Sequence, residues 1–377
     1  MRKRFGQTQY FSFAWVWILI IAACLLSCNE QNVTGAAQQG PAQLSLNESP
    51  FGPAQGVTLS ILKEIPNLAR YAAGDGEAFV RKVAAHEGVE ADQIIPGEIL
   101  DLLGIHLGLK GGPGGEFIYS VPGYPVLVNA AAGVGGVVIS VPLTANLEND
   151  LAAMEAQVND RTQAVFLVNP HNPSGTVSDK TVLRDFIKRV SSRTLVIVDE
   201  AYLEYTDDFA GRTAVNQLKE GDNVMVFRTM AKAYGMAGLS TGYAIAPKPL
   251  AQYLRGKGLG DSLALNRLSI AACEAALTDQ AHIARVNQQV SRERNKWHAV
   301  LDGLGLRHTA SSANFVFFDS GRPHAEVQEK LRQAGIIIGR SFAPYDTWIR
   351  ITIGTPDENA RAQAAIRSIV QPLQSGR

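Results

Sequence analysis

Leu195-Val196-Ile197-Val198-Asp199-Glu200-Ala201-Tyr202 is the stretch on which the reading of this chain turns. Its first four residues form a continuous apolar run, the pattern of a strand covered on both faces in a parallel sheet. Asp199 follows at the carboxyl end of that strand, where open α/β sheets bind ligands. A second run, Ala164-Val165-Phe166-Leu167-Val168, leads into Asn169-Pro170-His171-Asn172-Pro173-Ser174-Gly175. Two X-Pro units and a glycine predict a rigid turn at another strand end.

Working outward, short apolar runs at 116–120, 137–141, 164–168, 195–198, 224–227 and 243–246 alternate with helical patterns at 76–87, 99–109, 149–156, 179–190 and 263–277. Strands spaced by helices predict an α/β fold with a mixed, mostly parallel sheet between helices. A long helix over 282–301 bridges to a smaller α+β domain with strands near 315–318 and 349–353. The expected organisation is a leader at 1–28, a flexible tether at 29–43 and an N-terminal arm at 44–70. A large domain at 71–278 and a small one at 279–377 follow. The arm opens at Leu44-Ser45-Leu46-Asn47-Glu48-Ser49-Pro50-Phe51-Gly52-Pro53, where two prolines and a glycine predict extended backbone rather than helix.

The chain has 377 residues with 35 basic and 35 acidic side chains, a balance that argues against a general nucleic-acid binder. The N-terminus reads as an export signal, with basic Met1-Arg2-Lys3-Arg4, an uncharged stretch and Leu25-Leu26-Ser27-Cys28. That ending resembles a bacterial lipoprotein box with Cys28 as the lipid-bearing residue, which predicts a periplasmic or membrane-anchored protein. Of the three cysteines only Cys273 falls in the globular part, so no intrachain disulfide is expected there.

Several side chains are candidates for chemistry. A carboxylate at the position of Asp199 can keep a pyridinium nitrogen protonated; a helix cap or a metal ligand are the alternatives. Asn172 and Tyr202 can reach one phenolic oxygen of a ligand, and Tyr124 can stack on its ring. Lys232 lies among Met230, Ala231, Ala233, Tyr234 and Met236, a poor setting for a surface lysine and a good one for a neutral, nucleophilic amine. Arg350 stands alone inside the apolar run Trp348-Ile349-Arg350-Ile351-Thr352-Ile353-Gly354. It suits a bidentate clamp on a substrate carboxylate, with an internal salt bridge as the alternative.

Taken together, N-P-H-N-P-S-G, V-D-E-A-Y, T-M-A-K-A-Y-G-M-A-G-L and W-I-R-I-T-I-G resemble the class I/II aminotransferases of pyridoxal-phosphate (PLP) fold type I, and within them the histidinol-phosphate aminotransferase branch. The resemblance spans about Leu46 to Thr355. It implies Lys232 as the Schiff-base and proton-shuttling residue and Asp199 on the pyridine nitrogen. It places Asn172 and Tyr202 on the phenolic oxygen and Tyr124 on the ring face. Arg350, with Asn47 and Asn172, would meet the substrate, an amino acid paired with a 2-oxo acid. Thr229 and the backbone around Gly97, Glu98 and Ile99 would receive the phosphate. Tyr71 would reach the cofactor of a second subunit in a homodimer. The chain departs from the family at the phosphate end: Ala231 replaces a usual Ser, Ser240 a usual Arg, and Pro96-Gly97-Glu98 a Ser/Thr-rich loop. Phe51 replaces a Tyr frequent in that branch. A racemase, lyase or cyclase using the same cofactor, or a non-catalytic relative, are the competing expectations.

Overall fold

The computed structural model describes residues 40–261 and 265–370. The leader, Cys24, Cys28 and the tether up to residue 39 lie outside the described residues. The described residues from Ala42 onward form one compact unit. The described strands are β1 (Ala42–Leu44), β2 (Ile94–Pro96), β3 (Glu116–Val121), β4 (Val137–Pro142), β5 (Thr162–Val168), β6 (Leu195–Asp199), β7 (Val224–Thr229), β8 (Gly242–Ile245), β9 (Phe315–Asp319), β10 (Ile336–Ile338) and β11 (Trp348–Thr352).

Seven of them form the main sheet in the order β2-β8-β7-β6-β5-β3-β4. Its pairings are parallel from β7 through β4, and β8 runs antiparallel to both β2 and β7. β6 is therefore the middle strand. Every one of its residues is buried, because each face is covered by its own apolar layer. Val196 and Val198 pack with Val165, Leu167, Val224 and Val226 on one face. Leu195 and Ile197 pack with Phe166, Met225 and Phe227 on the other, under Leu103 and Leu107 of helix Leu100–Gly111. By the same two-residue alternation Asp199 and Thr229 belong to this second face, at its carboxyl edge.

Two smaller sheets, β9 with β11 antiparallel and β1 with β10 parallel, accompany helices Gln280–Gly303, His324–Gln333 and Pro356–Val370. No helix among the described residues is long and apolar enough to cross a membrane.

Three boundary expectations need correction. Ala42 and Gln43, read as tether, are strand residues paired with Ile336 and Ile337. Residues 44–53 contain no helix, as expected, but the arm continues beyond them as an α-helix, Gln55–Glu64. That helix buries only Val57 and has no side-chain cap, so it lacks the apolar stripe and the start signal that identify a helix in sequence. The helix expected from residue 263 begins at Arg267, because the Asn266 side chain accepts the Ser269 N–H at 2.7 Å and caps it there.

Candidate active site

The turns after β5, β6 and β7 converge at the carboxyl edge of the sheet. The register aligns Val168, Asp199 and Phe227 across three neighbouring strands. Asp199 is 5% exposed, and its Oδ1 accepts the Ala201 N–H at 3.0 Å. Burial pushes its carboxyl up to about 6, with Lys232 acting in the opposite sense. The contact to Ala201 is a local turn, so the side chain does not cap a helix. Among the described residues no group of three His, Cys, Asp or Glu side chains could hold a metal.

Lys232 follows β7, and its Nζ donates to the Leu46 carbonyl at 3.0 Å, which ties the lysine loop to the N-terminal arm. Burial, and then the charge of Arg350, hold its amine below the ordinary lysine range. Both causes favour the neutral nucleophile. Gly235 closes this loop with φ +70°, and a Cβ there would come within 2.4 Å of the Gly52 backbone. The glycine is what allows arm and loop to meet.

Tyr202 is buried, with its hydroxyl accepting from Asn47 Nδ2 at 3.0 Å and from Asn172 Nδ2 at 3.5 Å. Its ring meets the edge of Phe315 at 5.2 Å. Asn172 also receives Arg350 Nη1 on its Oδ1 at 2.6 Å, so one amide joins the tyrosine to the arginine. Arg350 Nη2 donates to the Ser45 carbonyl at 2.8 Å, and Nε has no hydrogen-bond partner. Its partners are thus an amide and a carbonyl, and the internal salt bridge is not what the structure shows. Phe315 and Phe342 lie 5.5 and 5.1 Å from its guanidinium. A buried guanidinium with neutral partners and a spare N–H suits an incoming anion.

Tyr124 is 38% exposed, and burial, followed by the charge of Asp199, raises its phenol to about 12. Asn47 lies in the N-terminal arm beside Tyr202. It is 1% exposed at φ 56°, its Oδ1 accepts from Thr352 Oγ1 at 3.2 Å, and its carbonyl accepts from Asn314. In this geometry it positions Tyr202. Tyr71 is 85% exposed and stands apart from these groups.

At the other end, Gly97 has φ +110° and donates its N–H to the Gly242 carbonyl at 2.8 Å. Ile99 is buried and caps helix Leu100–Gly111 without a side-chain hydrogen bond. Glu98 Oε1 accepts the Thr229 hydroxyl at 2.8 Å, and Thr229 Oγ1 accepts the Ala231 N–H at 3.0 Å. Ser240 is exposed with φ 44°.

Sequence reasoning overlooked three contributors. The Ser45 carbonyl carries no side-chain signal. Thr352, two residues after Arg350 on the same face of β11, could have been found from strand alternation. Arg340 follows the buried β10, and its guanidinium lies 4.4 Å over Phe342, the ring that Arg350 also faces.

The profile of the class I and II aminotransferases matches residues 43–366, and this chain belongs to that family. It is a PLP-dependent transaminase of fold type I. Similar curated proteins include histidinol-phosphate aminotransferase of Moorella thermoacetica, 33% identical over 87% of this chain and 85% of the relative. Histidinol-phosphate aminotransferase 1 of Psychrobacter arcticus is 34% identical over 87% of each. Among solved structures, histidinol-phosphate aminotransferase of Sinorhizobium meliloti in complex with pyridoxal-5'-phosphate has a TM-score of 0.80 at 30% identity, covering 88% of this chain and 91% of that one.

The ring end of the site fits this cofactor. A buried acid without a cation in hydrogen-bond contact would meet the ring nitrogen, a desolvated amine would meet the carbonyl, and the Tyr202–Asn172 pair would meet the phenolic oxygen. At the phosphate end the helix head and Thr229 remain, beside an acid.

Proposed function

We propose that the chain moves an amino group between an amino acid and a 2-oxo acid with Lys232 as the covalent and proton-transferring residue. The observation that carries this reading is the desolvated Lys232 amine held on the same sheet edge as buried Asp199. Bound there, PLP supplies an aldehyde and a protonated ring that draws electrons from the substrate's α-carbon. Asp199 keeps the ring nitrogen protonated. Tyr202 and Asn172 orient the phenolic side. Arg350 receives the substrate carboxylate, which fixes the α-C–H within reach of Lys232 Nζ, the base that takes its proton.

Two guanidinium groups around Phe342 favour a substrate with a strongly anionic end. Because the relatives above are named for histidinol phosphate, that amine heads the donors to test, with its phosphate in place of the carboxylate at Arg350, beside neutral aromatic amino acids. Purified enzyme assayed across such donors with a 2-oxo acid acceptor is expected to form the matching amino acid product. Racemisation or elimination without amino transfer would refute transamination as the native reaction.

The basic and apolar leader supports export, with Cys28 as the lipid site. Fractionation of the native host is expected to place the protein in the envelope; a cytosolic pool alone would overturn this. A homodimer is supported by exposed Leu59, Leu62, Ile65, Leu68 and Tyr71 along and just after helix Gln55–Glu64.

A further inference from the structure

Glu98 occupies the turn between β2 and helix Leu100–Gly111, the helix that covers the Asp199 face of the sheet. Its charge acts on Asp199, Lys232 and Tyr124, which places it beside the reacting groups rather than on a remote surface. The backbone N–H groups of Leu100, Asp101 and Leu102 open that helix, and Ile99 caps it with no side-chain acceptor. A helix head of this kind attracts an anion, and in this chain the acid beside it is part of the protein itself.

The hydroxyl of Thr229 sharpens the conflict. It has one proton, and that proton goes to Glu98 Oε1 at 2.8 Å. One of its two lone pairs already receives the Ala231 N–H. Thr229 therefore has no donor left for a phosphate oxygen while Glu98 holds it. Nearby Ala231 and Ser240 carry no positive charge to offset the acid. The Glu98 stem lies against β8, where its Cγ is 3.4 Å from the point a Gly242 Cβ would occupy. Glu98 is an exposed residue, and its bond to Thr229 lies at the surface.

We propose that Glu98 is a built-in competitor for the cofactor's phosphate, holding the Thr229 proton until the carboxylate turns away, and so making this chain discriminate weakly between phosphorylated and unphosphorylated pyridoxal. The proposal rests on the PLP-dependent reading above. It assigns Glu98 to setting cofactor affinity, apart from the chemistry at Lys232.

The test compares binding of two aldehydes, pyridoxal phosphate and pyridoxal, to the full chain stripped of cofactor with hydroxylamine. Binding is read from the visible absorbance of the lysine-bound chromophore, in wild type and Glu98→Gln. Glutamine keeps the side-chain size and removes the charge, so its neutral amide oxygen holds the Thr229 proton more weakly and yields it to a phosphate. The expected result is a roughly ten- to a hundredfold tighter Kd for pyridoxal phosphate, with the pyridoxal Kd changed less than about twofold. Adding Thr229→Val is expected to cost affinity for pyridoxal phosphate in the Glu98→Gln background and little in wild type, because only there is the hydroxyl released. An unchanged ratio of the two Kd values, or weaker pyridoxal phosphate binding by Glu98→Gln, would overturn the proposal. If neither aldehyde gives a chromophore with wild-type protein, the cofactor reading itself fails and takes this proposal with it.

Discussion

At the residue scale, Asp199 makes a pH prediction whose sign is fixed. Its folded carboxyl is raised to about 6, above the value near 4 of an unfolded aspartate. The stabilising contribution is then full below about pH 4 and is lost as pH rises through about 6. Cofactor-free wild type is expected to melt below cofactor-free Asp199→Asn at pH 8, by on the order of a few kcal/mol, with the gap closing at pH 4. Equal melting behaviour at both pH values would contradict the burial argument. The residues found from sequence alone were those whose side chains sit oddly in their surroundings. Asp199 ends an apolar strand, Lys232 lies among small and apolar residues, and Arg350 interrupts a β run. The partners that hold them were not legible. Ser45 meets Arg350, and Asn47 meets Thr352, across 305 residues of chain, and two of these contacts run through backbone groups that any residue would supply. Asn47, an expected substrate contact, is held in a left-handed backbone with its amide on the Tyr202 hydroxyl, an arrangement with no local sequence signal.

At the element scale, the central strands were readable because double-sided burial leaves a continuous apolar signature, and β5, β6 and β7 carry it. Helix Gln55–Glu64 was not, since most of its apolar side chains face outward and Ala54 gives no cap. Helix Leu100–Gly111 shows a subtler determinant. Gly104 faces the backbone of helix Val126–Ala132 so closely that a Cβ would meet the Leu127 carbonyl oxygen at 2.2 Å. Gly108 faces the Ala131 carbonyl at 2.9 Å in the same way. Gly104→Ala is expected to push the two helices apart at a cost of about 1–3 kcal/mol. Because Glu98 and Ile99 precede this helix directly, the same change is expected to weaken PLP binding, measured by denaturant melts and by cofactor titration. A variant as stable as wild type would show that the crossing can relax without cost.

At the scale of the whole molecule, the outward apolar side chains Leu59, Leu62, Ile65 and Leu68 form the surface proposed above to pair with a second copy. Sedimentation velocity is expected to give a dimer, and Leu59→Glu with Leu62→Glu to shift it to monomer; a monomeric wild type would contradict the pairing surface. The central claim concerns one amine. Purified full chain incubated with PLP, reduced with borohydride and digested is expected to carry the pyridoxyl group on the peptide containing Lys232. The same treatment of Lys232→Ala is expected to leave every peptide unlabelled. Label on another lysine, or none on the wild-type Lys232 peptide, would contradict the account.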